Sequence, residues 1–108
     1  MQGFDAKLDT IFVNQNVTDG ETIVSNNEIF ELGFFSPGSS KNRYLGIWFK
    51  NTTPRAIVWV ANRETALVNT LSAVKLNHQG ILSIVDVGSG DGVIWSSKSS
   101  GLTQVLIT

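Results

Sequence analysis

The side chains that most often carry chemistry are few and widely spaced in this chain. It contains no cysteine and a single histidine, His78, which lies in a predicted turn with no second histidine to assist it. The nine Asp and Glu residues are dispersed, and no spacing marks a general acid and base pair. The motifs of nucleophile elbows, phosphate-binding loops and zinc hydrolases do not occur. The sequence therefore predicts no enzyme, no catalytic residue, no metal site and no cofactor.

A glycine-rich run, Gly88 to Gly92, is the segment whose composition comes nearest to a phosphate-binding loop. Such a loop binds phosphate when the helix that follows it directs its first backbone amides at the anion. Here the following residues, Val93 to Ser96, are predicted to form a strand instead. The run is therefore interpreted as a hairpin loop.

Two Asn-X-Thr sequons, at Asn16 and Asn51, are candidate sites of N-glycosylation. Both lie in polar, turn-like surroundings that could accept a glycan, and they favour the secretory pathway. Sequons also arise by chance in chains rich in Asn and Thr, and no signal peptide is visible in the first ten residues. The sequence leaves both glycosylation and the cellular compartment open.

The composition indicates one ordinary domain over residues 1–108, because 42% of the residues are hydrophobic and can build a core. Only 16% of the residues are charged, the formal net charge is −1, and the eight Lys and Arg residues are scattered. That distribution lacks the basic surface that nucleic-acid binding requires. No apolar stretch approaches the roughly 20 residues of a membrane-spanning helix. The sequence therefore predicts neither a nucleic-acid partner nor a membrane-spanning segment.

Short apolar segments at intervals of about 8–12 residues predict an all-β fold, either a sandwich, a barrel or a prism. The pattern is clearest where Phe30, Leu32 and Phe34 alternate with smaller or polar residues, so these three are predicted to face the core. The predicted strands are Ile11–Asn14, Thr22–Ser25, Ile29–Phe35, Tyr44–Phe49, Ala56–Ala61, Ala73–Leu76, Ile81–Val85, Val93–Ser96 and Gln104–Ile107.

A weak internal repeat places one tryptophan in an aliphatic frame three times, at Trp48, Trp59 and Trp95. Repeated supersecondary units usually stack to share a core, because one unit alone cannot bury its apolar face. A tryptophan can instead stack on a sugar ring, but the repeat favours the core. All three indole rings are therefore predicted to be core residues.

Several blocks of this sequence, in order, closely resemble the bulb-type lectin domain of plant S-domain receptor kinases and S-locus glycoproteins. The resemblance covers about residues 9–97 and leaves residues 1–8 as a poorly matched extension. It implies a type II β-prism of three antiparallel four-stranded sheets with pseudo-threefold symmetry and central tryptophans. It also implies an extracellular or plasma-membrane ectodomain. The matching blocks are Asp9–Ile11, Gly20–Ser25, Phe30–Gly38, Tyr44–Phe49, Val58–Glu64, Gly80–Leu82 and Val93–Ser97.

The chain departs from the family pattern in two places. Ala66 stands where the family usually carries a proline. In the family, a Leu-rich strand like Val105–Ile107 is followed by further strands, so a C-terminally truncated prism is expected. An incomplete prism would leave an open sheet edge, which favours self-association or strand addition by a partner.

Bulb lectins bind mannose through a Q-x-D-x-N-x-V-x-Y motif, whose alternate residues face one side of a strand. In the best register the five motif positions carry two amides and no carboxylate or phenol. Each missing charge-assisted hydrogen bond costs about 1.5–3 kcal/mol, so little affinity for mannose is expected. Asn26 and Asn27 are isolated polar candidates elsewhere. The motif positions are Asn77, Gln79, Ile81, Ser83 and Val85.

Two functions follow from these observations. One is a carbohydrate-recognition module with a degenerate motif, whose partner would be a mannose-type glycan. The other is a protein-interaction or dimerisation module that retains the lectin fold without its sugar site. The family favours the first function, and the degenerate motif favours the second.

Overall fold

Strands form nearly all of the regular structure, as the alternating pattern predicts. The computed structural model describes residues 10–68, 71–90, 92–97, 101–102 and 104–106. Within those ranges the exception is one turn of 3-10 helix, Val87–Ser89, in the predicted glycine-rich loop. The strands are β1 (Thr10–Phe12), β2 (Asn16–Thr18), β3 (Thr22–Val24), β4 (Phe30–Phe35), β5 (Tyr44–Phe49), β6 (Ile57–Val60), β7 (Ser72–Leu76), β8 (Leu82–Asp86), β9 (Gly92–Ser96) and β10 (Gln104–Leu106).

The strands build three antiparallel sheets. Sheet I has the order β3-β4-β5-β6, and sheet II has the order β2-β7-β8-β9. The third sheet is the pair β1-β10. The predicted all-β prism is therefore confirmed, with two four-stranded sheets and a third sheet that has two strands among the described residues.

The core lies where the inner faces of sheets I and II meet. The alternation in β4 points Leu32 and Phe34 inward, and they are 3% and 6% exposed, as predicted. Phe30, at the start of β4, is half-buried and packs against the rim of the core. The other buried members come from six further strands and one loop: Ile11, Val17, Ile23, Leu45, Leu67, Val74, Leu76 and Ile84.

The outer face of sheet I is also buried, which simple alternation does not predict. Trp48 lies over Gly33, where an added Cβ would come within 3.1 Å of the indole Cη2. Phe35 lies over Gly46 in the same way, 2.7 Å from such a Cβ. The guanidinium carbon of Arg55 is 4.2 Å from the Trp48 ring centroid, a cation–π distance. Aromatic rings on glycine platforms therefore fill this face.

A matching β-bulge interrupts both four-stranded sheets. In sheet I the extra residue is Val58, because Trp59 and Ile57 pair with consecutive residues of β5. In sheet II the extra residue is Ile94, one position before Trp95. The weak internal repeat thus corresponds to strands β6 and β9. In both strands the residue after the tryptophan pairs on the outer face of its sheet, Val60 with Gly46 and Ser96 with Ser83, so the repeat is structural.

The prediction that all three tryptophans are core residues is wrong for Trp59. Trp48 is 3% exposed and Trp95 is half-buried, but Trp59 is 39% exposed. Trp59 and Trp95 face the interior and meet edge to face, with ring centroids 6.3 Å apart. Trp48 occupies the outer face of sheet I, so the three rings are not equivalent.

Candidate functional site

The first two positions of the degenerate motif lie in the turn between β7 and β8. Asn77 Oδ1 accepts the backbone N–H groups of Gln79 and Ile81 at 2.9 and 3.0 Å, which closes an Asx turn. That carboxamide oxygen therefore already accepts two hydrogen bonds from the backbone. The predicted turn around His78 is confirmed.

The remaining motif positions do not present polar groups to solvent. Ser83 and Val85 alternate with the core residue Ile84 and so point to the outer face of sheet II, where they are 6% and 5% exposed. Ile81 is half-buried. We call the five motif positions, Asn77, Gln79, Ile81, Ser83 and Val85, the motif row. This row therefore does not gather an amide, a carboxylate and a hydroxyl at one surface. Loss of mannose binding at this row remains a prediction, now with a geometric reason.

The turn is fixed from its other side by a short segment near the end of the described chain. Gly101 N–H donates to the Gln79 carbonyl at 2.9 Å, and Leu102 N–H donates to the Gly80 carbonyl at 3.1 Å. Gly80 has φ of 74°, and an added Cβ would collide with the backbone of this segment. The motif turn is thus a rigid structural element.

A polar cleft of about 350 Å³ opens beside this turn, and we call it the amide cleft. One wall comes from the β1–β2 turn and the start of β2, and the other from the end of β7. The register pairs Asn16 with Lys75, which brings the two walls together. The sequence had marked three of the lining residues, Asn16, Asn77 and His78, for other reasons and gave no signal that Asn16 lies near the other two. The lining residues are Asn14, Asn16, Lys75, Leu76, Asn77 and His78.

The outer strand of sheet I is apolar and exposed, and we call residues 57–60 the β6 edge. Ile57, Val58 and Trp59 are 37%, 47% and 39% exposed. The only sheet partner of β6 among the described strands is β5. The corresponding edge of sheet II carries Val93, which is 64% exposed. Both four-stranded sheets thus end in a strand with exposed apolar side chains. The open edge that a truncated prism would leave stays a prediction.

An apolar groove of about 400 Å³ adjoins the β6 edge on the outer face of sheet I. Ile57 and Val60 form one side of the groove, and Phe35 with Tyr44 forms the other. Pro37 and Arg63 complete the lining, and Ile57 and Val60 belong to both the groove and the β6 edge, so the two adjoin.

The two glycosylation candidates are both accessible. Asn16 is exposed on β2, and Asn51 is exposed in the turn that follows β5. Their modification remains a prediction. Within the described ranges, no three His, Cys, Asp or Glu side chains come close enough to hold a metal ion. The same ranges contain no helix long and apolar enough to cross a membrane.

Comparison with known proteins places these features in a family. No protein-family model matches the chain. A G-type lectin S-receptor-like serine/threonine-protein kinase of Arabidopsis thaliana is 40% identical over 94 residues, which is 87% of this chain and 11% of that protein. A second such kinase of Arabidopsis thaliana is 48% identical over 77 residues, or 71% of this chain and 9% of its own length.

A third kinase of the same description and organism is 40% identical over 97 residues, 90% of this chain and 12% of that protein. The chain thus spans about a tenth of the length of the curated relatives it matches. The matches extend over most of the chain, and the all-β architecture agrees with the fold that the sequence resemblance implied. The chain belongs to the bulb-type lectin domains of the plant S-domain receptor-like kinases.

Proposed function

We propose that this chain is a non-catalytic recognition module of a receptor ectodomain, and that it associates with a second copy of itself through the β6 edge. The observation that carries the proposal is the exposure of Ile57, Val58 and Trp59 on an edge strand. An edge strand offers a row of unpaired N–H and C=O groups to another strand. Proteins usually protect such edges with charges or proline, and Ile57–Val60 contains neither.

A second copy fits this edge without electrostatic conflict. In an antiparallel pairing centred between Val58 and Trp59, each of these residues faces the other in the second copy. The same register places Arg55 opposite Asn62 and not opposite another cation. The chain's formal net charge is only −1, so repulsion between copies is small. Two four-stranded sheets would become one continuous sheet.

The family relationship supports an extracellular or plasma-membrane location for this module, and the accessible sequon at Asn51 agrees with it. Mannose binding at Ser83 and Val85 does not form part of the proposal, because both side chains are buried.

Light scattering over a range of protein concentrations tests the self-association. We expect a dimer that Val58→Lys converts to a monomer, because the pairing would have to desolvate an unpaired ammonium group on an apolar edge. The matched control is Val68→Lys, since Val68 is 81% exposed in a loop away from β6. A wild-type monomer at all concentrations would contradict the proposal. Dissociation by Val93→Lys but not by Val58→Lys would also contradict it, because the edge of sheet II would then be the interface.

Saccharide recognition is the second candidate function. The observation that favours it is the amide cleft, which lies on the same face of sheet II as the motif row and is lined by side chains suited to sugar hydroxyls.

A further inference from the structure

We infer that the amide cleft is a binding site for a neutral saccharide, displaced from the motif row onto β2 and the end of β7. This inference rests on the second candidate function and specifies where that function resides. The site uses side chains at Asn14, Asn16 and His78, none of which belongs to the Q-x-D-x-N-x-V-x-Y positions.

The backbone holds the two walls of the cleft in a fixed relation. Asn14 has φ of 70°, in the left-handed region that asparagine tolerates better than most residues. Its N–H donates to the Leu76 carbonyl at 2.8 Å and ties the β1–β2 turn to the end of β7. The turn itself is closed by Gln15 N–H, which donates to the Phe12 carbonyl at 3.0 Å. The cleft is therefore preorganised, which reduces the entropy lost on ligand binding.

The lining chemistry suits hydroxyl groups. A carboxamide both donates and accepts hydrogen bonds, as a sugar hydroxyl does. Since Asn77 Oδ1 accepts two backbone N–H groups, its NH₂ group is left as the donor toward the cleft side of the turn. Among the described residues, the side chains of Asn14, Asn16 and His78 make no hydrogen bond or ion pair. These exposed polar groups can exchange water for ligand hydroxyls at low cost.

The size and polarity of the cleft narrow the ligand further. A volume of about 350 Å³ lies at the small end of ligand sites and suits one or two sugar rings. The lining contains no Asp or Glu and only one fully apolar side chain, Leu76. Its one cation, Lys75, already interacts with another group. Hydrogen bonds rather than apolar contact must therefore supply the affinity, and they favour a neutral hydroxyl-rich ring.

Titration of the isotope-labelled full chain by NMR tests the site. Protein made in bacteria should be used, because it lacks the N-glycan that Asn16 could accept and that would occupy the cleft. The probes are mannose, galactose and N-acetylglucosamine, each added separately. We expect at least one of them to shift the backbone amide signals of residues 14–16 and 75–78 in a saturable manner.

Two variants localise the binding, and a third serves as their control. Asn14→Gly removes the carboxamide while keeping a residue that accepts positive φ, and His78→Ala removes the ring from an exposed turn. Each should weaken saccharide binding by about three- to tenfold, the effect of one lost neutral hydrogen bond. Asn42→Asp, an exposed asparagine outside the cleft, is the control and should leave binding unchanged.

The possible results of these titrations distinguish a failure of the amide cleft as the binding site from a failure of saccharide recognition itself. Saccharide binding that Gln79→Ala removes, while Asn14→Gly and His78→Ala leave it intact, would place the ligand on the motif row and overturn the cleft. Saccharide recognition itself would survive that result. If none of the three sugars shifts any signal, both the cleft and the second candidate function fail. Self-association through the β6 edge is unaffected by either result.

Discussion

Arg43 holds Asp19 in a two-point ion pair that joins the two large sheets. Arg43 Nε lies 2.9 Å from Asp19 Oδ2, and Nη2 lies 2.6 Å from Oδ1. The same guanidinium donates to the Ser36 hydroxyl at 3.1 Å and to the Phe34 carbonyl at 3.2 Å. Asp19 follows β2 of sheet II, whereas Arg43 precedes β5 of sheet I. The pair therefore fixes the corner where the chain passes between sheets.

Asp19→Asn should destabilise the fold by about 1–3 kcal/mol, the usual cost of leaving a charged hydrogen-bonding partner uncompensated. The Asp19 side chain is only 7% exposed, so water cannot replace it easily. Urea unfolding measures the change. Lys50→Gln is the control, because its pair with Glu28 is longer, at 3.3 Å, and Glu28 is 55% exposed. That control should cost less than about 1 kcal/mol. Equal losses from the two variants would show that the Arg43 pair is no stronger than a surface contact.

Gly80→Ala should be far more damaging than Gly90→Ala. Both glycines have positive φ, 74° and 73°, so alanine suffers the same backbone strain of about 1–2 kcal/mol at each position. An alanine Cβ at Gly80 would also collide with the backbone of Leu102, whereas nothing lies within 4 Å at Gly90. Thermal unfolding of the two variants measures the difference. Similar melting temperatures would mean that the Gly101–Leu102 segment does not pack on the turn.

Glu21→Gln should destabilise the fold at neutral pH and have little effect in acid. Backbone and side-chain hydrogen bonds from Thr18, at 2.9 and 2.8 Å, lower the pKa of Glu21 below its ordinary value. A lowered pKa means that the folded state favours the carboxylate. The resulting stability is present above the ordinary pKa of about 4.3 and is lost as the pH falls through the lowered value.

Melting temperatures of the wild type and the Glu21→Gln variant at several pH values between about 2 and 7 check this prediction. The difference should narrow steadily toward acid. Glutamine keeps an oxygen that accepts from Thr18, so the comparison isolates the charge. A difference that does not vary with pH would refute the electrostatic explanation.

Trp59 should account for most of the tryptophan fluorescence that a collisional quencher can reach. It is 39% exposed, whereas Trp48 is 3% exposed and Trp95 is half-buried. The measurement is best made on Val58→Lys, which keeps the β6 edge open. Trp59→Phe in that background should remove most of the quenchable signal, and Trp48→Phe should remove little of it. If Trp48→Phe removed more of the quenchable signal than Trp59→Phe, Trp59 would be a buried core residue, as the sequence predicted.

The fold was predictable where local pattern and burial agree. The bounds of β5, Tyr44–Phe49, are those predicted, because its aromatic and aliphatic residues are flanked by polar turns. Strand β2 was missed, since only Val17 of its three residues is buried and a short polar segment has no visible period. Phe35 was not placed in the core, because its burial depends on Gly46 of the neighbouring strand. That contact cannot be read from one segment.

The candidate site was predictable only in part. The five motif positions from Asn77 to Val85 follow from sequence, and the missing carboxylate is visible at Gln79. The amide cleft depends on the pairing of Asn16 with Lys75, which are far apart in the chain. The exposure of Trp59 likewise depends on which strands cover β6. Long-range register determines both, and no local periodicity encodes it.

The bulges at Val58 and Ile94 reverse the phase of the side chains along their strands. In a regular strand, residues two apart share a face, so Ile57 and Trp59 would point the same way. Because Val58 is inserted between them, Trp59 faces the interior while Ile57 contributes to the groove on the outer face. One short strand thereby supplies apolar groups to two separate surfaces. Deleting Val58 would leave Ile57 and Trp59 adjacent and on opposite faces, as a regular ladder requires, so the sheet could absorb that deletion locally.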